Sequence, residues 1–438
     1  MVLALGFVLL VVLLVLGVPV VFCFGSVIIL FSLTFGYTAL GLFPTMYGKL
    51  ASVVLLSIPM FIMAGGVMEK GKIGDALIDF IELFFGKIKG CLAIISVVTC
   101  GVFGSICGSG AATLSCIGSI MLPKMRDKKY PMEKAAAIVC CSAPLGLLIP
   151  PSAGQIVVAW CGNLSVLACF LSTVIPGIIL IVLLSITSYF LMRNDPNIEK
   201  NQEAQWHSAQ ALMKQAGPKT IHAAPALLMP VLILGGIYGG IMTPTEAAGV
   251  AVFYAIPVAV LIYKGTTVRE LKSVFVSTAT TTGVVMVMCA LIMVLSQILL
   301  MENVPTVVLE LFTAISSNKY VVLLMINLFL VFIGMIMDDT CGLMLCTPLL
   351  LPIMRELGVS PYQFSAIIGV NLGMGNITPP TAPFLYLSSK IAGVNSAKVI
   401  KYSLILIVCA YIPTLILTTY VPQVATFLPR LFLGDKFV

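Results

Sequence analysis

The chain has 438 residues, 60% of them hydrophobic and only 9% charged, with a formal net charge of +7. A soluble domain holds about 25% charged residues, so this composition excludes a water-soluble fold and describes an integral membrane protein. The positive balance is then a topology signal rather than a nucleic-acid footprint, since no basic stripe with interleaved aromatics accompanies it.

The first charge is Lys49, and the residues before it suffice for two spans, expected over 3–23 and 26–44. No basic n-region precedes the first apolar run, which therefore reads as a retained span rather than a cleaved leader. A third span is expected over 51–69. Further spans follow over 135–160, 166–192, 222–240, 246–263 and 277–300, and later over 362–389 and 401–420. Most charges fall in 69–89, 124–134, 193–219 and 264–272, expected as aqueous loops. The last three are basic and self-consistently cytoplasmic, and the first, basic from Lys70 to Lys89, must then be cytoplasmic as well. The block 90–123 must then leave and return on one side. Rich in glycine and too short for two full spans, it is expected as two half-helices in a re-entrant hairpin, tolerated at membrane depth only against protein or a wet cavity. Segment 301–318 holds Glu302 and Glu310 but no Lys or Arg, as an external loop should. A second long apolar block covers 320–352. The tail 421–438 is ambiguous: Arg430 and Lys436 favour the cytoplasm, yet the span count puts them outside.

The two long blocks match. Pro123, Met125 and Arg126 recur as Pro352, Met354 and Arg355 at an offset of 229, which also carries Gly146-Leu147-Leu148-Ile149-Pro150-Pro151-Ser152 onto Gly375-Asn376-Ile377-Thr378-Pro379-Pro380-Thr381. Gly104-Ser105 maps onto Gly334-Met335 at 230, and Met68-Glu69 onto Met301-Glu302 at 233. Five full spans separate the units, so the second copy is inverted, an arrangement typical of secondary transporters. The expected fold is an all-α polytopic membrane protein with two re-entrant hairpins and two broken helices.

Each Gly-x-x-x-Pro-Pro-Ser/Thr element breaks its helix, because proline lacks a donor and clashes with the preceding turn. The freed carbonyls, with those of the facing hairpin tip, suit a hard cation such as Na⁺, and the half-helix N-termini suit an anion. Two inverted copies give two candidate Na⁺ sites flanking one cavity. At the second tip, Asp338 and Asp339 either attract a cation and bind substrate hydroxyls or are solvated N-cap residues. Ser109 and Thr113 at the first tip, with Ser152 and Asn376 at the breaks, are substrate candidates; Ser109 and Thr113 equally serve as caps. Glu246 is expected as the N3 partner of N-cap Thr243, with Pro244 at N1, rather than as a catalytic group. The thirteen Cys are scattered and read as small buried hydrophobes rather than a disulfide framework. His207 and His222, both in or beside the charged loop, leave no haem or zinc site inside the membrane.

Several motifs together resemble the large membrane subunit of tripartite ATP-independent periplasmic (TRAP) transporters. They are Ser57-Ile58-Pro59-Met60-Phe61-Ile62-Met63-Ala64-Gly65-Gly66, Gly108-Ser109-Gly110-Ala111-Ala112-Thr113, Ile149-Pro150-Pro151-Ser152, the run from Gly235 to Ala248 through Thr243-Pro244-Thr245-Glu246, and Ile377-Thr378-Pro379-Pro380. The resemblance implies an elevator-type inner-membrane importer of organic acids (C4-dicarboxylates, sialic acid, sugar or keto acids) with Na⁺ cotransport. A periplasmic binding protein would deliver substrate, and a small four-span subunit, expected as a separate chain, would brace the scaffold. It also implies one Na⁺ site from backbone oxygens around Ser105, Cys107 and Ser109 with Gly146, Ile149 and Pro151, and another from Gly334, Gly375, Thr378 and Thr381. Cys107 stands where many relatives have serine, which puts any role of that hydroxyl in doubt.

The expected organisation is an N-terminal scaffold with arm helices (1–89), a first transport repeat (90–165), central scaffold spans (166–300), a second transport repeat (301–395) and a C-terminal span (396–438). A stand-alone Na⁺- or H⁺-coupled anion carrier is the alternative within transporters. A passive channel does not account for the duplicated broken helices, and no Ser/His or His-Glu-x-x-His arrangement supports an intramembrane enzyme.

Overall fold

The computed structural model describes residues 2–85, 90–193, 195, 198 and 209–434, with side chains at 39, 40, 45 and 209–216 left undescribed. His207, Lys436 and residues 194, 196, 197 and 199–208 of the expected 193–219 loop lie outside the described residues, while 209–219 are helical rather than loop. Among the described residues, seven helices are long and apolar enough to cross a membrane, or eight if a pair bent by 44°, Met132–Leu148 with Ala153–Gly162, counts as one span.

The amino-terminal spans differ from expectation. In place of 3–23 and 26–44 stand α1 (Val2–Val15), α2 (Val20–Phe35) and α3 (Ala39–Leu50). Gly17 takes a left-handed φ of +78° just before Val18-Pro19 and ends α1, and a second left-handed glycine, Gly36, closes α2. At 14 residues, α1 is about 21 Å long. Gly6 lies against the outer end of the Phe31 ring, so α1 and α2 form an antiparallel hairpin.

Next come α4 (Ser57–Lys70) and α5 (Ile73–Phe85). The expected loop 70–89 is therefore largely a helix: α5 buries Ile73, Leu77, Ile78 and Ile81 and keeps Asp75, Asp79 and Glu82 off that face. Its apolar residues recur at three- and four-residue spacing, a pattern masked by the charge density. The first hairpin is α6 (Cys91–Cys107) and α7 (Gly110–Asp127), of 17 and 18 residues, so its arms are longer than half-helices. They turn at Gly108-Ser109 and run antiparallel, with Ser96 beside Met125. The first broken helix is α8 (Met132–Ser142), α9 (Leu145–Leu148) and α10 (Ala153–Gly162); α11 (Val166–Arg193) follows.

The middle of the chain forms α12 (Ala209–Tyr238), α13 (Pro244–Pro257) and α14 (Val268–Met301). Helix α14 starts within the expected 264–272 loop, because Thr267 and Glu270 form a capping box. Thr243 and Glu246 make the same box on α13, as expected: the Thr243 N–H donates to Glu246 Oε2 at 2.7 Å, and the Glu246 N–H to Thr243 Oγ1 at 3.3 Å. Thr243→Ala should therefore cost about 1 kcal/mol of stability and leave substrate selectivity unchanged, checked by thermal unfolding beside uptake.

The second unit comprises α15 (Val304–Ile315), the hairpin α16 (Lys319–Ile336) and α17 (Asp339–Glu356), the broken helix α18 (Pro361–Gly375) and α19 (Pro383–Ala392), then α20 (Ser396–Leu406), α21 (Ile412–Tyr420) and α22 (Pro422–Leu433). Segment 301–318, read as a loop, is mostly α15. Helices α5 and α15 each follow the repeated Met-Glu pair, and the ambiguous tail is mostly α22, packed on α11 and α18.

Packing settles the inversion. Helix α10 runs parallel to α17, with Gly154 against Leu343 and Gly162 against Leu351. Helix α8 leaves the base of the first hairpin, and past the break α10 runs toward the base of the second. Reciprocally, α19 runs parallel to α7: Gly110 faces Phe384, Gly118 faces Ile391, and Arg126 donates to the Ala392 carbonyl. The two hairpins thus enter from opposite sides. Across the middle, the Gln155 amide and Ser365 exchange hydrogen bonds, Gln155 Nε2 donating to the Ser365 carbonyl at 3.3 Å and Ser365 Oγ to Gln155 Oε1.

Candidate functional site

The helix breaks are dictated by donor loss. In an α-helix the Gly146 carbonyl accepts from residue 150 and the Leu147 carbonyl from residue 151, but both are prolines without an N–H. The Ser152 hydroxyl rescues the Leu147 carbonyl at 2.9 Å, and Gly146 has no helical donor. In the second copy the Gly375 carbonyl accepts the Thr378 N–H at 2.9 Å, and Asn376 accepts the Phe384 N–H at 3.3 Å. Both Pro-Pro bonds, Pro150-Pro151 and Pro379-Pro380, are cis.

Each break is stitched to its own hairpin tip. The Ala153 N–H donates to the Gly108 carbonyl at 3.1 Å, and the Thr381 N–H to the Met335 carbonyl at 3.3 Å. Gly108 holds φ +63°, and a Cβ there would sit 2.9 Å from the Pro151 carbonyl oxygen, so glycine alone permits this turn. Glycine pairs close the rest of the contact. A Cβ on Gly104 would lie 2.7 Å from the Gly146 Cα, and one on Gly375 would lie 2.4 Å from the Gly334 Cα. The residues named for each Na⁺ site are therefore neighbours: Cys107, Ser109, Gly146 and Pro151 around the first tip, and Gly334, Gly375 and Thr381 around the second.

The copies are not equal. Pro150, Pro151 and Ser152 are buried, whereas Pro380 and Thr381 are exposed and Thr378 is half-buried. The Ser109 carbonyl is already engaged by Thr113, through its N–H at 3.1 Å and its hydroxyl at 2.8 Å, and by the Cys107 thiol at 3.4 Å. Ser105 donates to Val102 and Thr378 Oγ1 to Met374, each within its own helix. Ile149 reaches away from the tip, its side chain against Gly177 of α11.

One cavity of about 410 Å³ receives both tips. It is lined by Cys107, Gly108 and Ser109 from the first and by Asp338, Asp339 and Thr340 from the second, with α10 behind. Of the substrate candidates, Ser109, Asp338 and Asp339 line it; Thr113 and Ser152 are buried and hydrogen-bonded within the tip and the break. Asn376 is fully buried, with neither side-chain polar atom hydrogen-bonded. Asp338 is the N-cap of α17, its carboxylate accepting the Cys341 N–H at 3.2 Å, so the capping reading holds for one of the pair.

The opposite wall was not anticipated. It consists of α4 (Ile58, Gly65, Gly66, Glu69, Lys70) and a hydroxyl stripe on α14 (Ser273, Ser277, Thr278, Thr281). Spacing of 273, 277 and 281 is one helix face, a signal readable in the sequence but submerged in an apolar span. Gly65 lies against Cys107 and Gly66 against Val274, so glycines let the wall approach the tip. The lining holds three carboxylates, Glu69, Asp338 and Asp339, against one cation, Lys70. It extends along α14 from Val285 to Ser273, toward the basic 264–272 end that the charge pattern places in the cytoplasm.

An inverted pair of hairpins and broken helices around one central cavity defines a multi-pass membrane protein with secondary-transporter architecture. The chain belongs to the tripartite ATP-independent periplasmic transporter family, DctM component, whose family model matches residues 7–424. It is 33% identical over the full length of both chains to the C4-dicarboxylate TRAP transporter large permease protein DctM of Vibrio cholerae. It is 31% identical to the sialic acid TRAP transporter large permease protein SiaM of the same species, covering 89% of each. To the isethionate TRAP transporter permease protein DctMQ of Oleidesulfovibrio alaskensis it is 31% identical over 94% of this chain, spanning 64% of that longer protein. Among solved structures it shares its fold with the Alcanivorax borkumensis YdaH transporter (TM-score 0.59, 15% identity, 89% of each chain) and Neisseria gonorrhoeae MtrF (TM-score 0.58, 14% identity, 86% of this chain and 83% of that one). The chain is thus a transporter permease of the bacterial inner membrane and not an enzyme.

Proposed function

We propose that this chain is the large permease of a three-part importer for an organic acid anion, either a C4-dicarboxylate, sialic acid or a related sugar or keto acid, coupled to Na⁺ and moving by an elevator mechanism. The observation that carries the reading is the convergence of both hairpin tips on a single cavity lined by three carboxylates and one ammonium. Such a lining repels an organic anion until cations compensate it, which supports obligatory coupling. Na⁺, as cotransported cargo, would be held by carbonyls of the two tip–break junctions; Gly146, stripped of its helical donor, is the clearest. Asn376, whose buried side-chain amide has no hydrogen-bond partner, supports a ligand at the second junction. The partners are a small four-span membrane subunit and a soluble periplasmic binding protein, in keeping with the tripartite family and with the DctMQ relative.

The test is Na⁺-gradient-driven uptake in proteoliposomes containing this chain, its small subunit and a substrate-loaded binding protein, with radiolabelled sialic acid compared to a C4-dicarboxylate. Uptake should need both Na⁺ and the binding protein and be abolished by Gly146→Pro and Thr378→Pro. Uptake of the free anion without the binding protein would instead establish a stand-alone carrier.

A further inference from the structure

A second cavity, of about 570 Å³, lies at the base of the second hairpin, away from the transport site. Three cations from three helices line it: Lys319 at the start of α16, Arg355 at the end of α17 and Arg430 on α22. No carboxylate among the described residues lines it. Tyr320 and Tyr420, ring centroids 5.9 Å apart, form one wall, and Ser360, the N-cap of α18, another. None of the three cations has an ion-pair partner among the described residues; Lys319 donates only to the Gly358 carbonyl at 3.2 Å.

The internal repeat shows that this charge is not structural by default. Arg126, the counterpart of Arg355, donates to the Ala392 carbonyl at the end of α19. Arg355 makes no such bond to the end of α10 and is exposed to the cavity instead. The inversion puts this base on the side opposite the Lys-rich base of the first hairpin, hence the outer side. Three converging cations there run against the usual charge bias. The flanking surface is apolar, with Phe427, Leu431 and Phe432 exposed around Arg430 and Leu324 and Leu328 exposed below Tyr320.

We propose that this cavity binds the phosphate of an anionic phospholipid headgroup from the outer leaflet, joining α22 to the base of the second hairpin. Arg430 and Arg355 supply charge-assisted hydrogen bonds, the N-terminus of α18 adds partial positive charge, the tyrosines sit at headgroup level, and the acyl chains lie along the exposed apolar faces. A concave site with an apolar border favours a lipid over an acidic protein surface, and it stands independently of which acid the permease carries.

The test is native mass spectrometry and thermal unfolding of the purified full chain, titrated with phosphatidylglycerol, phosphatidylcholine and inorganic phosphate. Wild type should retain an anionic lipid through delipidation and gain stability with phosphatidylglycerol more than with phosphatidylcholine, while inorganic phosphate alone reproduces little of the gain. The double variant Arg355→Gln/Arg430→Gln should lose about 30-fold in phosphatidylglycerol affinity, and Arg430→Lys should keep most of it. Equal stabilisation by phosphatidylcholine, or unchanged retention in the double variant, overturns the proposal. Full reproduction by inorganic phosphate reassigns the site to a soluble anion. If the double variant keeps its lipid but loses only binding-protein-dependent uptake, the face docks that protein and the lipid assignment is wrong.

Discussion

Replacing Gly375 with alanine should sharply reduce transport while an alanine at Gly283 should not. A Cβ on Gly375 would lie 2.4 Å from both the Cα and the carbonyl carbon of Gly334, backbone atoms that no rotamer change can move aside. The contact is where α16 meets the end of α18, at the junction proposed to hold a cation. Accommodating the methyl means moving the hairpin off the broken helix, an overpacking cost of about 1–3 kcal/mol and a displacement of every carbonyl at the site. Uptake should fall more than about tenfold, since a misplacement near 1 Å already costs far more than that in a preorganised site. Gly146→Ala, whose Cβ would meet the Ser109 carbonyl at 2.9 Å, should show a smaller loss of the same kind. Gly283 is the control: it lies in α14 with nothing within 4 Å of its would-be Cβ, and alanine there gains up to about 1 kcal/mol of helix propensity. Proteoliposome uptake and unfolding temperature, measured on all three, check this. Normal uptake by Gly375→Ala would show that the glycine pair is not a close contact in the working protein.

The two hairpins and two broken helices were legible because their signals are local and duplicated. A proline pair four and five residues after a glycine removes particular helical donors wherever the chain goes, and the same Gly-x-x-x-Pro-Pro pattern recurs 229 residues later. The capping box at Thr243-Glu246 is local in the same way. What escaped is of two kinds. Amphipathic α5 was hidden by its charges, and α15, which carries Glu310 alone, by its shortness and the absence of Lys and Arg from 301–318, since loop and interfacial helix differ chiefly in periodicity. The cavity wall on α4 and α14 was hidden because it is a tertiary fact: Ser273, Ser277 and Thr281 become a polar face only once Gly65 and Gly66 let Cys107 and Val274 close in. The unequal copies, with one break buried and its counterpart exposed, also lie beyond any repeat alignment, because burial depends on which elements surround each copy.

Asp338 and Asp339 offer the second test, because one carboxylate has a structural duty and the other none that the hydrogen bonds reveal. Asp338 caps α17 through the Cys341 N–H, so Asp338→Ala should cost about 1 kcal/mol while Asp338→Asn, which keeps an acceptor, should cost a few tenths. Asp339 has no hydrogen bond to another side chain among the described residues and faces the cavity with Asp338 and Glu69. A carboxylate substrate 4 Å from one such charge meets a repulsion of about 4 kcal/mol at an effective dielectric of 20. A cation bound beforehand cancels that repulsion, and under the proposed coupling that cation is Na⁺. Asp338→Asn/Asp339→Asn should therefore raise the Na⁺ concentration for half-maximal uptake about tenfold, a loss of about 1.4 kcal/mol being enough. At saturating Na⁺ the substrate half-saturation should stay the same or fall, because the repulsion has gone with the charges. Should the double variant keep the wild-type Na⁺ dependence while Asp338→Ala alone lowers the unfolding temperature, the pair caps and solvates the tip and the coupling charge lies elsewhere in the cavity, with Glu69 next to be tested.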